Sequence, residues 1–391
     1  MSDAFARLAS VAAILVLIDA PGATAQRAAD APRVQPAPRA QMRGDGPAPA
    51  PSPFSLTRID PALDAIVASG TKPELLASGF GINEGVLWIN DGNKGYVLVS
   101  SLIDNVIYKI APDHRVSVFM ERAGYSGDDV THVGIQTRAG RSHVIIIGPN
   151  CATLDTQGRL VWCAGQDRAV KRLEPDGTRT VLADGFDGKR FNGPNDIAIK
   201  SDGAIYIADS DVGLRDGARS PLKQMPNNVW LWKDGKVTLA LEQDRLGASP
   251  NGIVLSPDEK YLYLTAGRTL KRYDVKPDDT LGDGVVFGEG EGITDGMKVD
   301  REGNIYSTSG AGPGVVRVTS AAGKLVGFIN LPIVGGEPKR QICATNLAFG
   351  GDGRDLYVAA CDAVYKIRLR TPGIIPGPNG KMVSELAARS R

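Results

Sequence analysis

Aromatic and histidine side chains are scarce in this 391-residue sequence. Phe, Trp and Tyr make up 6% of it, and His114, His132 and His143 are its three histidines. No two of them sit at ligand spacing on a helical stretch, which excludes zinc chemistry of the usual His-rich kind. Charge of one sign is lacking too: 45 Lys and Arg face 44 Asp and Glu. Nothing in that balance points to nucleic acid or to an anionic membrane surface. No apolar run reaches the ~20 residues of a membrane-spanning helix. There is no Gly-x-Ser-x-Gly motif, so covalent acyl-enzyme chemistry is not expected. Helical periodicity is almost missing between residues 72 and 370.

Glycine (47) and proline (25) are plentiful, which suits short strands joined by tight turns. The N-terminus reads as a targeting segment. An apolar run over 11–18 follows Arg7, and Ala23-Thr24-Ala25 offers small residues for cleavage after Ala25. Residues 1–25 are therefore expected to be a signal peptide and the mature chain periplasmic or secreted. No cysteine lies near the cut to carry a lipid anchor. Residues 26–56 are an Ala/Pro-rich stretch expected to be a disordered spacer. Residues 371–391, with Pro372-Gly-Ile-Ile-Pro-Gly, are expected to be a loose tail.

Between these ends, turn signals recur between short apolar runs: Asn90-Asp-Gly, Thr156-Gln-Gly, Pro175-Asp-Gly, Ser201-Asp-Gly, Lys233-Asp-Gly, Arg301-Glu-Gly and Gly351-Asp-Gly. Asp-Gly flanked by alternating hydrophobics is a hairpin signal, because the turn needs φ > 0. The hairpins repeat at roughly 45–65 residues, a spacing of propeller blades. Six inner-strand starts align: Glu84-Gly-Val-Leu-Trp, Asn150-Cys-Ala-Thr-Leu, Asn195-Asp-Ile-Ala-Ile, Asn251-Gly-Ile-Val-Leu, Asp295-Gly-Met-Lys-Val and Asn346-Leu-Ala-Phe. Glu84, Asn150, Asn195 and Asp295 each precede the turn glycine by eight residues; Asn251 keeps that spacing to Glu259, and Asn346 is one shorter to Gly353. The expected fold is all-β, a six-bladed β-propeller of four-stranded antiparallel blades over 57–370. The last blade lacks one strand, which the N-terminal segment 73–80 would supply as an outer strand to close the ring.

Equivalent positions on inner strands form a ring about the axis. Taken singly, an Asn or Asp before Gly is a turn residue that bonds its own backbone. Six oxygen-bearing side chains at one register, with no hydrophobe among them, suit a hard cation instead. Calcium takes six to eight oxygen ligands at flexible geometry, and it is the expected metal, with zinc or magnesium as alternatives.

The sequence here resembles the gluconolactonase, senescence-marker and luciferin-regenerating propellers. The resemblance covers about 72–370 and rests on Glu84-Gly-Val-Leu-Trp88, Gly193-Pro-Asn-Asp196, Ser249-Pro-Asn-Gly252, Asp295-Gly-Met297 and Thr345-Asn-Leu-Ala-Phe-Gly-Gly351. It implies that Glu84, Asn195, Asn251 and Asp295 hold the metal and that Asp295 doubles as general base. It places Asn150 and Asn346 toward the substrate. Two departures put a sugar-acid substrate in doubt. Gly193 stands where sugar-lactonase relatives often carry Arg, and Ala164-Gly165 where many bacterial relatives carry a Glu-His or Gln-His pair. The segment 125–147, with Asp128, Asp129, His132, Arg138, Arg141 and His143, is long for the family and could cap the pocket.

The activity implied is opening of a small lactone by a metal-polarised carbonyl and an activated water. An esterase or phosphotriesterase of the same fold, and a non-catalytic calcium-binding module, are the other readings. The expected partner is a small molecule, with the chain as a monomer. Trp88, Trp162 and Trp230 read as strand packing. Cys151 and Cys163 straddle one hairpin turn and Cys343 and Cys361 another. At least one bridge within a hairpin is expected in an oxidising compartment; the alternative is four small buried hydrophobes.

Overall fold

Glycines at the hairpin turns take the left-handed backbone that the sequence signal requires, as at Gly203 (φ 90°) and Gly303 (φ 86°). They join antiparallel strands into six blades of a β-propeller. The computed structural model describes residues 52–139, 142–288, 295–309, 314–332 and 343–382. The signal peptide and nearly all of the spacer expected from the sequence lie outside these residues.

Blade 1 runs Asn83–Ile89, Tyr96–Ser101, Val106–Ile110 and Val116–Glu121 from axis to rim. Blade 2 runs Ala152–Leu154, Leu160–Ala164, Ala169–Leu173 and Arg179–Ala183. Blade 3 holds Pro194–Ile199, Ile205–Asp209, Val229–Lys233 and Lys236–Leu241; blade 4 holds Pro250–Leu255, Tyr261–Ala266, Thr269–Asp274 and Val285–Val286. Blade 5 comprises Met297–Val299, Ile305–Thr308, Val315–Thr319 and Leu325–Asn330. Blade 6 contributes Asn346–Gly350, Asp355–Ala360 and Ala363–Arg368. Its fourth strand is Glu74–Ser78, which pairs antiparallel with Ala363–Arg368 and closes the ring as the missing strand required.

Two expectations about the ends need correction. A spacer reaching to residue 56 is too long, because Ser55–Arg58 is already a strand, added outside Leu325–Asn330 as a fifth strand of blade 5. The stretch after Arg370 is not loose over 371–382, which is laid across the turn end of the propeller. Arg301 N donates to Pro372 O (2.9 Å), Gly373 N to Gly353 O (2.8 Å) and Asn90 N to Gly380 O (2.8 Å). Met382 is buried against blades 1 and 2. Its Pro and Gly residues prevent regular structure without preventing packing.

Six apolar clusters fill the spaces between neighbouring blades. Leu98 and Trp162 meet between blades 1 and 2, Val161 and Ile207 between 2 and 3, Tyr206 and Leu264 between 3 and 4. Tyr263 and Met297 join blades 4 and 5, Val316 and Phe349 join 5 and 6, and Val364 and Trp88 join 6 and 1. Because each blade is covered on both faces, an inner strand such as Asn83–Ile89 is buried along its whole length. Trp88, Trp162 and Trp230 are all packed in these layers.

Both cysteine pairs are disulfides, Cys151–Cys163 with Cα atoms 5.0 Å apart and Cys343–Cys361 with Cα atoms 5.4 Å apart. Each closes one hairpin, and the described residues contain no free cysteine. Blade 3 also buries a carboxylate at the end of its second strand. Asp209 accepts from Asn192 N (2.9 Å) and Gly193 N (2.7 Å), fixing the turn that leads into Asn195. Burial pushes its carboxyl up to about 6 despite the amide donors.

Two outcomes follow from these features. The bridges close loops of 12 and 18 residues, each worth about 3 kcal/mol in the chain-entropy account. Thiol titration of the denatured, unreduced protein is expected to find no free thiol, and C151S/C163S to lower Tm by roughly 5 °C; four titratable thiols would refute the pairing. For Asp209 the folded pKa lies above the unfolded value near 3.8. Between pH 4 and 6 the unfolded chain releases a proton that the fold retains, so this group's contribution to stability falls across that window and is flat above it. Thermal melts should show that Asp209→Asn removes this part of the slope, with the variant gaining on the wild type as pH rises from 4 to 7.

Candidate metal centre on the propeller axis

The six inner strands all begin at one end of the axis, opposite the turn glycines. Backbone contacts between neighbouring strands close this end into a ring. Gly85, beside Glu84, lies against Asn150 O; Ile253 N reaches Asp196 Oδ2 (3.4 Å). Gly252, beside Asn251, lies against Asp295 O, and Gly296 lies 2.6 Å, measured from where a Cβ would stand, from Asn346 Cγ. Between blades 2 and 3 a Cβ at Gly165 would lie 3.5 Å from Pro194 O, and Thr345 Oγ1 donates to Asn83 O (2.8 Å), joining blade 6 to blade 1. Side chains at Gly85, Gly252 and Gly296 would separate the strands, so the Gly after Glu84, Asn251 and Asp295 is required by close approach.

Three ring residues sit at β-bulges. The ladder slips between Glu84 and Leu87, between Pro194 and Asp196, and between Pro250 and Ile253. In each, one extra residue faces the partner strand, which re-aims the side chain there. The bulges turn Glu84, Asn195 and Asn251 out of the regular alternation. Asp295 precedes its strand, where Gly296 N donates to Thr345 O (2.9 Å). Glu84, Asn195, Asp295 and Asn346 are buried, while Asn150 and Asn251 are half-buried.

The two amides at 251 and 346 differ in what their oxygens do. Asn251 Oδ1 is buried with no hydrogen-bond partner among the described residues, an acceptor that needs a cation or a donor. Asn346 Oδ1 already accepts from Leu347 N (2.8 Å) and from the Lys298 ammonium (3.4 Å). Among the described residues no three His, Cys, Asp or Glu gather as a metal cluster. A cation on this axis would therefore rely on the two carboxylates, Glu84 and Asp295, with the rest of its shell from amide oxygens and water. That all-oxygen set fits a hard dication and not a soft one.

Two charged residues escape notice in the sequence. Asp196 is buried beside Asn195, with Oδ1 accepting from Ile197 N (2.9 Å). Burial raises its pKa and the Lys298 charge lowers it in part. Lys298 follows Asp295 by three residues, and its Nζ also donates to Met297 O (3.0 Å). The signal was present as polar residues at channel-facing positions of strands whose other members are apolar. Both line a cavity of about 380 Å³ on the axis, with Val86, Ala152, Ala198 and Val254 among its apolar walls. None of the six ring residues lines it. It begins further along each strand, and residues 374–378 cover its far side. This cavity is interior to the ring, so a substrate would meet the ring from the opposite, open face.

Long connections stand on that face. Asn105 Oδ1 accepts from Gly124 N and Tyr125 N, and Ser126 binds Asp167, which anchors the start of the 125–147 segment. Asp128 pairs with Arg122, and Asp129 accepts from Thr131, so both acids serve the segment itself. Arg215 N donates to His132 O and Gly134 N to Gly213 O, joining this segment to the connection after Asp209. Arg141 and the side chains of Arg138 and His143 lie outside the described residues. Gly213 Cα stands 2.8 Å from where a Cβ of Gly193 would be. No side chain fits at 193 without displacing the backbone at 213. His114 is far from the ring, exposed and paired with Glu74.

Residues 126–362 match the family model described as the SMP-30/Gluconolactonase/LRE-like region. A gluconolactonase of Zymomonas mobilis is 31% identical over 343 residues, spanning 81% of this chain and 87% of that protein. A lactonohydrolase of Aspergillus oryzae is 29% identical over half of this chain and 49% of its own length. The solved structure of a Xanthomonas campestris gluconolactonase superposes with a TM-score of 0.63 at 24% identity, covering 83% of this chain and 99% of that one. By the family match and the length of the 31% relative, this chain belongs to the SMP-30/Gluconolactonase/LRE-like family.

Proposed function

We propose that this protein is a hydrolase that opens a lactone ring with one divalent cation, calcium, held on the propeller axis by Glu84, Asn195, Asn251 and Asp295. The single observation that carries the metal is the buried, unpartnered Asn251 Oδ1 in a ring that otherwise offers two carboxylates and an amide. The lactone is supported by family membership and by a relative named gluconolactonase along most of both chains.

A cation bound there would polarise the lactone carbonyl and acidify a bound water. The chain's own residues supply the remainder. Asp295 accepts the proton of the attacking water on a carboxylate oxygen and returns it to the ring oxygen that leaves. Asn346, its oxygen already engaged, presents Nδ2 as a donor to the lactone. Asn150, beside the Cys151–Cys163 bridge, is held by its own N–H to Cys163 O (2.9 Å) and offers a second polar contact. The connections around His132 and Gly213 narrow the open face and shield the reacting carbonyl from bulk water. An all-oxygen dication site and a missing nucleophile motif favour direct attack by water over an acyl-enzyme.

Elemental analysis of the purified protein should find one divalent ion per chain, and chelation should abolish hydrolysis of glucono-1,5-lactone until calcium is returned. Activity that persists in chelator, in protein free of divalent metal, would end the reading. Asn251→Ala should weaken calcium at least tenfold by calorimetry. Asp295→Asn should lower kcat by roughly 10²-fold or more while the melting curve stays cooperative. A screen of aldonolactones, aromatic lactones and aryl esters then ranks the substrate class.

A further inference from the structure

Beneath the ring the axial cavity has mostly apolar walls, with Lys298 at its ring end. Lys298 Nζ lies 3.4 Å from Asn346 Oδ1 and 3.0 Å from Met297 O, and its charge acts on the buried Asp196 carboxylate. The other charged groups that line this cavity are engaged at its turn end: Lys200 with Asp202 and Asp279, and Glu259 with Ser201. Lys298 and Asp196 line the same cavity.

The consequence for Asn346 is one of orientation. Its oxygen receives two N–H donors, from Leu347 and from Lys298. Rotating the amide by half a turn would set its NH₂ against both donors, so the oxygen is fixed where it is. The carboxamide is also wedged against Gly296, where a Cβ would lie 2.7 Å from Oδ1. Nδ2 has no partner among the described residues.

Resting on the reading of this ring as a metal-dependent lactone site, we propose that Lys298 is a positioning residue that works in two ways. It locks Asn346 with the amide nitrogen toward the substrate oxygen, and its ammonium, in contact with this ring residue, tempers the hold of the ring on a dication. The substrate group so recognised is a hydrogen-bond acceptor next to the metal-bound carbonyl.

The two roles predict effects of opposite sign, which a merely structural lysine would not give. In Lys298→Met the repulsion between ammonium and dication is gone, so calcium affinity should rise, roughly tenfold by calorimetry on chelator-stripped protein. The same variant frees the Asn346 amide to turn, so KM for the lactone should rise roughly tenfold with kcat changed far less. Lys298→Arg should bring calcium affinity back to that of the wild type. Lys298→Leu, equally uncharged, should behave like Lys298→Met, and it carries the KM test if that variant fails to fold. Adding Lys298→Met to Asn346→Ala should raise KM no further. The parent reading is tested first, by one equivalent of calcium and lactone opening in the wild type. With that control met, a weaker calcium site in folded Lys298→Met, an unchanged KM, or additive effects with Asn346→Ala overturns the proposal.

Discussion

Closure of the blade circle is the constraint on which the rest of the molecule depends. Each apolar layer lies between two blades, so a blade's two faces are covered only when both neighbours are in place. The layer between blades 6 and 1 unites Val364 and Trp88 from opposite ends of the chain. It is held by the strand Glu74–Ser78, which brings the N-terminal segment onto the last blade. The axial ring inherits this closure, because Thr345 of blade 6 bonds Asn83 of blade 1 one residue before Glu84. A chain that failed to close would leave Glu84 without its neighbours at 345 and 346, and the oxygen set would be open on one side.

Within the closed circle, the site is built by departures from regular strand geometry. A β-strand sends successive side chains to opposite faces, and the inner strands use both faces for blade packing. At Glu84, Asn195 and Asn251 a bulge interrupts the ladder and breaks this alternation. The glycines that follow Glu84, Asn251 and Asp295 allow the backbones to crowd there. Burying several polar groups together would be costly if each were unpaired. Asn346 and Asp196 have named donors, whereas Asn251 Oδ1 has none among the described residues.

Much of this was legible in the sequence. The turn signals and the constant offset to Glu84, Asn150, Asn195 and Asp295 indicate the number of blades and the ring register, because both are local and periodic. The missing strand of the last blade follows from counting. What could not be read depends on tertiary contact. Nothing local marks Thr371 and Met382 as buried, since their Pro/Gly-rich context matches that of a loose tail. Asp196 looks like a turn residue beside Asn195, and Lys298 like a strand surface charge. Only the circular arrangement puts the two in the same cavity. The bulges are equally hidden, because an extra residue in a ladder is visible only against its partner strand.

The two ends of the axis also carry different amounts of structure, and that asymmetry assigns their roles. At the turn end, 374–378 covers the cavity and the connections are short hairpins. At the ring end stand the long connections joined through His132, Gly134, Gly213 and Arg215, and both disulfides. Cys151 adjoins Asn150, and Cys343 lies three residues before Asn346. The bridges therefore restrain the backbone at the two ring positions whose amides face the substrate in the proposed mechanism. Cys361 extends this to blade 1, since its carbonyl accepts from Asn83 N (2.8 Å). Covalent and hydrogen-bonded restraint thus falls on the positions where a small displacement of a donor would matter most to a bound carbonyl. The metal ligands proposed at 195, 251 and 295 have no such staple; their backbones are fixed by blade packing, and a cation held there would itself draw them together.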